Sequence, residues 1–204
     1  MPDLFEGSIS DQNYNAQQIE VLEGLDPVRH RPGMFIGGTD DRAMHHLVAE
    51  ILDNSMDEAV EGHATWIEIN LIDGFTIKIS DNGRGIPVDP HPKFPNKSAL
   101  EVILTTLHAG GKFSGKTYAT SGGLHGVGAS VVNALSSAMT VEIAREKLLY
   151  RQRFSRGTPL TALKEIGTAP NRRGTTVTFT PDIEIFDENA KFRAATLFRL
   201  ARSK

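Results

Sequence analysis

Four glycines fall within the seven residues from Gly122 to Gly128, and the chain then runs straight into Val131-Val132-Asn133-Ala134-Leu135, an apolar pattern of helical type. A helix that opens on a bare loop points unpaired amide N–H groups and the positive end of its dipole at one spot, and missing side chains let an anion come close. Glycines also serve tight turns, so the stretch alone leaves both readings open. It lacks the Gly-Lys-Ser/Thr ending of a Walker loop, and no strand-to-helix dinucleotide fingerprint surrounds it. A nucleotide bound here requires a different fold.

Between Asp41 and Gly62, Met44, Leu47, Val48, Ile51, Leu52, Ser55 and Ala59 recur at helical spacing, with Asp40 or Asp41 placed to cap the start and Gly62 to end the helix. At about 100° per residue, Glu50, Asp53, Asn54 and Asp57 project onto one neighbouring arc. Such an arc is either a solvated acidic face or a magnesium and general-base site, because Mg²⁺ takes oxygen ligands and keeps several waters. Glu50 and Asn54 stand one turn apart in that second reading.

A hairpin follows: Trp66 to Leu71, an Asp73-Gly74 turn, then Phe75 to Ser80. Directly after it comes Asp81-Asn82-Gly83-Arg84-Gly85-Ile86-Pro87. An Asp ahead of a glycine-rich turn is ordinary turn chemistry, or a buried carboxylate that accepts an exocyclic amine.

Taken in order, these elements resemble the ATPase domain shared by DNA gyrase B subunits, Hsp90, histidine kinases and MutL, the GHKL or Bergerat type. The helix motif Glu50 to Ala59, the turn Asp81 to Pro87, the run Leu107-His108-Ala109-Gly110-Gly111-Lys112-Phe113 and the stretch Gly122 to Ser136 are most similar to type IIA topoisomerase B subunits. The likeness runs from Tyr14 to about Lys204. Tyr14-Asn15-Ala16 with Ile19 to Leu22, and the run Phe186 to Leu200, lean toward the topoisomerase IV branch (ParE); the gyrase branch stays open as the alternative. A more remote alternative is a MutL- or Hsp90-like ATPase.

The resemblance assigns roles. Glu50 is the general base, and Asn54 the protein ligand of Mg²⁺. Asp81 takes the adenine amine, helped by a water and Thr175. Arg84, Gly85, Ile86 and Pro87 line the outer adenine pocket, with Glu58 pairing Arg84. Lys112 and the backbone of Leu124, His125, Gly126, Val127 and Gly128 hold the phosphates of ATP, and His108 and His125 carry no proton role. Tyr14 reaches the partner's nucleotide in an ATP-bound homodimer, and Arg151 falls where the family binds aminocoumarin antibiotics. The implied activity is ATP hydrolysis driving dimer-gate closure for DNA strand passage, in company with the A subunit of topoisomerase IV (ParC) or gyrase A.

The expected fold is α+β: a two-layer sandwich with a mixed, mostly antiparallel sheet and helices on one face. Helices are expected at 15–24, 42–61, 98–108, 128–137 and 188–202. After the hairpin, strands are expected at Met139 to Arg145, Leu148 to Phe154, Leu160 to Ile166 and Thr175 to Thr180. Residues 1–20 read as a flexible dimerisation arm and 21–204 as the ATPase domain, with an ATP lid at about 92–123 in which only Ser98 to Leu107 is helical. The transducer and strand-passage domains of the family are expected outside this chain, leaving it weakly active or inactive as an ATPase by itself.

At 204 residues, 39% of them hydrophobic, the chain is long enough for one sizeable core. It holds no cysteine, which excludes disulfides and thiolate metal sites, and no stretch resembles a membrane span or secretory signal; the expected location is cytoplasmic. The net charge of −3 gives no general footprint for DNA, although Arg145, Lys147, Arg151, Arg153, Arg156, Arg172 and Arg173 make the second half locally basic.

Overall fold

The computed structural model describes residues 15, 19–110 and 126–204. Tyr14, Lys112, Leu124 and His125 lie outside them, as do most of the expected arm and the second half of the expected lid.

Alternating strands build the sheet. β1 (Ile67–Leu71) and β2 (Ile77–Asp81) form the hairpin, and β9 (Gly174–Pro181) pairs with β2 on the far side. β5 (Ser136–Arg145) follows β9, then β6 (Leu148–Ser155), whose outer edge carries the short β7 (Thr158–Pro159) and β8 (Lys164–Thr168). Each of these pairs is antiparallel. β3 (Pro90–His91) and β4 (Phe94–Ser98) make a separate small hairpin.

Register fixes which side each residue faces. Ile79, Val177 and Val141 align across β2, β9 and β5 and are buried, whereas the next row, Ser80, Thr176, Glu142 and Arg151, points the other way. The apolar rows are covered by α3 (Asp41–Val60) and α5 (Gly128–Ala134), with α1 (Asp26–His30), α2 (Gly33–Ile36), α4 (Ala99–Thr105) and α6 (Ala194–Arg202) around them. Met44, Leu47, Val48 and Ile51 of α3 meet Ile77, Ile79, Val177 and Phe179 in one core. The result is the expected α+β two-layer sandwich. No helix among the described residues is long and apolar enough to cross a membrane.

α3 matches its expected span almost to the residue, with Asp40 Oδ1 accepting from the amides of Arg42 and Ala43 at 3.0 Å each. Other boundaries need correcting. Residues 19–23 are not helical; Gly24 takes a left-handed φ of 58°, and the first helix starts at Asp26 with Pro27 in its first turn. The expected helix 128–137 ends at Ala134, where Ser136 Oγ donates to Val132 O at 2.6 Å and Ser136 already opens β5.

Residues 188–193 are not helical, and other elements claim the amides of the last three. Lys191 N–H donates to Asp41 Oδ1, Phe192 N–H to Gly74 O and Arg193 N–H to His45 Nε2. The strand expected at Leu160 to Ile166 begins only at Lys164, as β8: Thr161 receives Arg153 N–H on its hydroxyl and Gln152 Nε2 on its carbonyl instead, and the short β7 ends before it at Pro159. The helix expected at 98–108 covers Ala99–Thr105, and the first part of the expected lid contains β4, which pairs back onto β3 just before it.

Candidate nucleotide site

α3 carries Glu50, Asn54 and Glu58 at successive turns of one face. Glu50 is partly exposed, and its Oε1 lies 2.9 Å from His46 Nε2. Across from it, α5 opens at Gly128; a Cβ there would collide with Glu50 Oε2, so only a glycine leaves room for the carboxylate against the helix start. Gly126, just before, holds a left-handed φ of 63°. Asp53 is drawn instead to Lys204 Nζ at 2.5 Å, and Asp57 is buried, so the arc of three carboxylates and an amide reduces to Glu50 and Asn54 on the accessible side. Burial of the packing face thus overrides the simple wheel projection.

Asp81 ends β2 with its side chain turned toward α3 and only 8% exposed. Oδ2 accepts from Ser55 Oγ at 3.0 Å; Oδ1 accepts from Gly83 N–H at 2.9 Å and Thr175 N–H at 3.2 Å. Burial pushes its pKa above the ordinary aspartate value, and the nearby Glu58 charge adds to this, against the three hydrogen bonds that favour the anion. The carboxylate is therefore oriented from three sides and poorly solvated.

Glu58 fixes the turn that follows. It accepts Arg84 N–H at 2.8 Å and Arg84 Nε at 3.2 Å on Oε2, and Arg84 Nη2 at 2.7 Å on Oε1. The expected Glu58–Arg84 pair is present, with the fork geometry that makes arginine specific. Gly85 adopts φ 79°, and its carbonyl accepts Arg145 Nη1 at 3.1 Å, while Ile86 N–H donates to Thr175 Oγ1 at 3.3 Å. Pro87 is exposed beyond it.

The structure thus brings Glu58, Asp81, Arg84, Gly85, Ile86 and Thr175 into one hydrogen-bonded group, and Glu50 against Gly128 in a second cluster on the same helix. Arg151 stands apart on β6, on the sheet face turned away from α3, with its guanidinium 2.6 Å from Glu142. Three contributors escaped the sequence reading: His46 on Glu50, Ser55 on Asp81 and Arg145 on Gly85. His46 sits one turn before Glu50, a spacing that pairs side chains, and Ser55 is a hydroxyl in an otherwise apolar stripe, which requires a buried partner. Arg145 leaves no comparable mark in the sequence.

A helix carrying a carboxylate against a glycine, facing a sheet that ends in a buried aspartate and a fixed glycine turn, defines an α+β domain whose polar groups gather along one helix–sheet junction. A family model described as histidine kinase-, DNA gyrase B- and HSP90-like ATPase matches residues 39–185. The chain belongs to this ATPase family.

Among its relatives, the B subunit of DNA topoisomerase 4 from Bartonella bacilliformis is 61% identical over 95% of this chain and 28% of its own length. Its counterpart from Caulobacter vibrioides is 62% identical over 94% of this chain and 27% of its own. The B subunit of DNA gyrase from Thermotoga maritima is 54% identical over 87% and 28%. The chain therefore spans little more than a quarter of these relatives. A solved structure, the 43K ATPase domain of Thermus thermophilus gyrase B in complex with an aminocoumarin, superposes with a TM-score of 0.75 at 46% identity, covering 86% of this chain and 43% of that one.

Proposed function

We propose that this chain is the ATP-binding and ATP-hydrolysing domain of a type II DNA topoisomerase B subunit, of the topoisomerase IV kind. The observation that carries the reading is the buried Asp81 carboxylate, held by Ser55, Gly83 and Thr175 beside the same helix α3 that sets Glu50 against Gly128. A desolvated, oriented carboxylate suits an adenine amine, because an amine that fails to donate there leaves a buried acceptor unpaired. Higher identity to the topoisomerase 4 relatives than to the gyrase relative supports the first branch; supercoiling as part of a gyrase is the second reading.

Glu50, with His46 on its other oxygen, orients a water for in-line attack on the γ-phosphoryl. Asp81 and Thr175 bind the adenine edge, and Arg84, Gly85, Ile86 and Pro87 wall the outer pocket. Lys112 and the backbone from Leu124 to Gly128 hold the phosphates, and their amides stabilise the charge that develops on transfer. Tyr14 completes the partner's site in a homodimer, whereas Arg151 is paired with Glu142 on the sheet face turned away from α3, outside the group around Asp81 and Arg84.

The donor set fits Mg²⁺. Asn54 supplies a carboxamide oxygen one turn from Glu50, on the exposed side of α3 where phosphate oxygens and waters can complete the shell. When bound, the ion neutralises the phosphate oxygens, and Asn54 is its protein ligand. Closure of two such domains on ATP gates DNA passage in an assembly with the A subunit of topoisomerase IV, and the setting is cytoplasmic.

Glu50→Ala in the longer B subunit tests this reading: hydrolysis should fall by about 10²–10⁴-fold while a non-hydrolysable ATP analogue still binds. Undiminished turnover removes Glu50 from the mechanism.

A further inference from the structure

The basic character of the second half of the chain gathers on the sheet face that no helix covers. Register places Lys78, Thr178, Thr140 and Arg153 in one row across β2, β9, β5 and β6 of that face. The next row runs Glu68, Ser80, Thr176, Glu142, Arg151 and Lys164. The loop before β9 adds Arg172 and Arg173 over a hollow of about 610 Å³ whose lining also includes Trp66, Lys78 and Asn82.

Six cations therefore share this face with Glu68 and Glu142, and Asp81 also lines the hollow, in a chain whose net charge is −3. Glu142 is engaged by Arg151 at 2.6 Å and Arg172 at 3.5 Å. Lys78, Arg153 and Lys164 enter no ion pair among the described residues. The cations on this face outnumber its carboxylates, and three of them are left outside any ion pair among the described residues.

The surface between the cations is polar rather than apolar. Thr140, Thr178, Asn82 and Asn171 occupy it, Ser80 and Thr176 lie buried beneath, and Trp66 at one edge is half exposed. A protein partner needs an apolar anchor at the centre of its footprint, whereas phosphate contacts are made by Arg, Lys, Thr, Ser and Asn. Six strands from β1 to β8 span about 24 Å at the usual strand spacing, and a duplex carries a charge about every 1.7 Å of axis, so several phosphates come within reach at once.

We propose that this open sheet face binds the phosphodiester backbone of duplex DNA, through Lys78, Arg153, Lys164, Arg172 and Arg173. The strand cations sit on the face opposite α3, while the hollow reaches Asp81 at the end of β2 and Arg173 Nη2 donates to His63 O at 2.9 Å. The face reads no sequence; the contacts position a duplex against the domain.

The test is fluorescence anisotropy of a labelled 25-base-pair duplex with this chain, from 50 to 200 mM salt, against a Lys78→Ala/Arg153→Ala/Lys164→Ala variant. Binding of a non-hydrolysable ATP analogue is measured alongside as an independent readout of fold and pocket. The expected result is salt-dependent duplex binding whose log K against log[salt] slope flattens by about 2–3 in the variant, at roughly 0.9 per lost phosphate contact. Analogue binding is unchanged, and Arg42→Ala on α3 leaves the slope alone. If the triple variant fails to fold, Arg153→Glu alone serves, with a flattening of at least one contact expected. An unaltered slope, no duplex binding by the unmodified chain at 50 mM salt, or equal displacement by charge-matched polyglutamate overturns the proposal.

Discussion

Ser55 Oγ donates to Asp81 Oδ2 at 3.0 Å, joining the central helix to the end of β2 inside the protein. The contact leaves the carboxylate oriented but incompletely satisfied, since Oδ1 already takes two amides and Oδ2 retains capacity for one more donor. An adenine amine is such a donor. The prediction is that Ser55→Ala weakens binding of a non-hydrolysable ATP analogue several-fold, with the larger loss in Asp81→Asn.

The pH dependence of binding carries a second prediction. Burial raises the Asp81 pKa, so in the free domain the carboxyl holds its proton to higher pH than an ordinary aspartate. Adenine needs the anion, so affinity should fall as pH drops below the raised value of the free domain and level off above it. The same shift makes Asp81 favour the folded state below 3.8 and lose that contribution as pH climbs through the folded value. Calorimetry across this range checks the first statement, and thermal melts of Asp81→Asn, which should lack this part of the pH slope, check the second.

Gly128 offers a test that separates stability from function. Alanine there improves helix propensity by up to about 1 kcal/mol, yet its methyl would occupy the place of the Glu50 carboxylate. Gly128→Ala should therefore melt within a few degrees of the unmodified chain and lose hydrolysis in the longer protein. Retained hydrolysis with an unchanged melt would show that the close approach has no bearing on the chemistry.

Asp182 concerns the scaffold alone. Its carboxylate is fully buried, accepts Arg29 Nη2 at 2.9 Å and lies 2.8 Å from Arg156 Nε. Burial alone would raise its pKa, but the Arg29 hydrogen bond, the Glu184 amide and the two guanidinium charges hold it below the ordinary value. Its stabilising contribution is therefore present above about 3.8 and lost as pH falls through the lowered value. Asp182→Asn should cost about 3 kcal/mol, measured by urea unfolding at neutral pH, with the difference from the unmodified chain shrinking in acid.

Much of this domain is legible in its sequence because its strongest signals are local. The Asp40 cap, the 20-residue amphipathic pattern of α3 and the Asp73-Gly74 hairpin each specify their own geometry. The misreadings arise where a distant partner decides. Residues 188–193 look helical until Asp41, His45 and Gly74 take their amides, and Asp57 looks exposed until packing turns it inward. Within the site, Glu58 with Arg84 follows from recognised motifs, whereas Arg145 on Gly85 joins residues 60 apart and is visible only once β5 and the turn are folded together.

The role of the buried carboxylate is tested most directly by isothermal titration of this chain with non-hydrolysable ATP and GTP analogues in Mg²⁺, alongside Asp81→Asn. One-site binding of the ATP analogue is expected, with at least tenfold weaker binding of the GTP analogue and a loss of about 1–3 kcal/mol on the ATP analogue in the variant. Equal affinity of the variant and the unmodified chain for the ATP analogue would contradict this, because adenine would then not rest on Asp81.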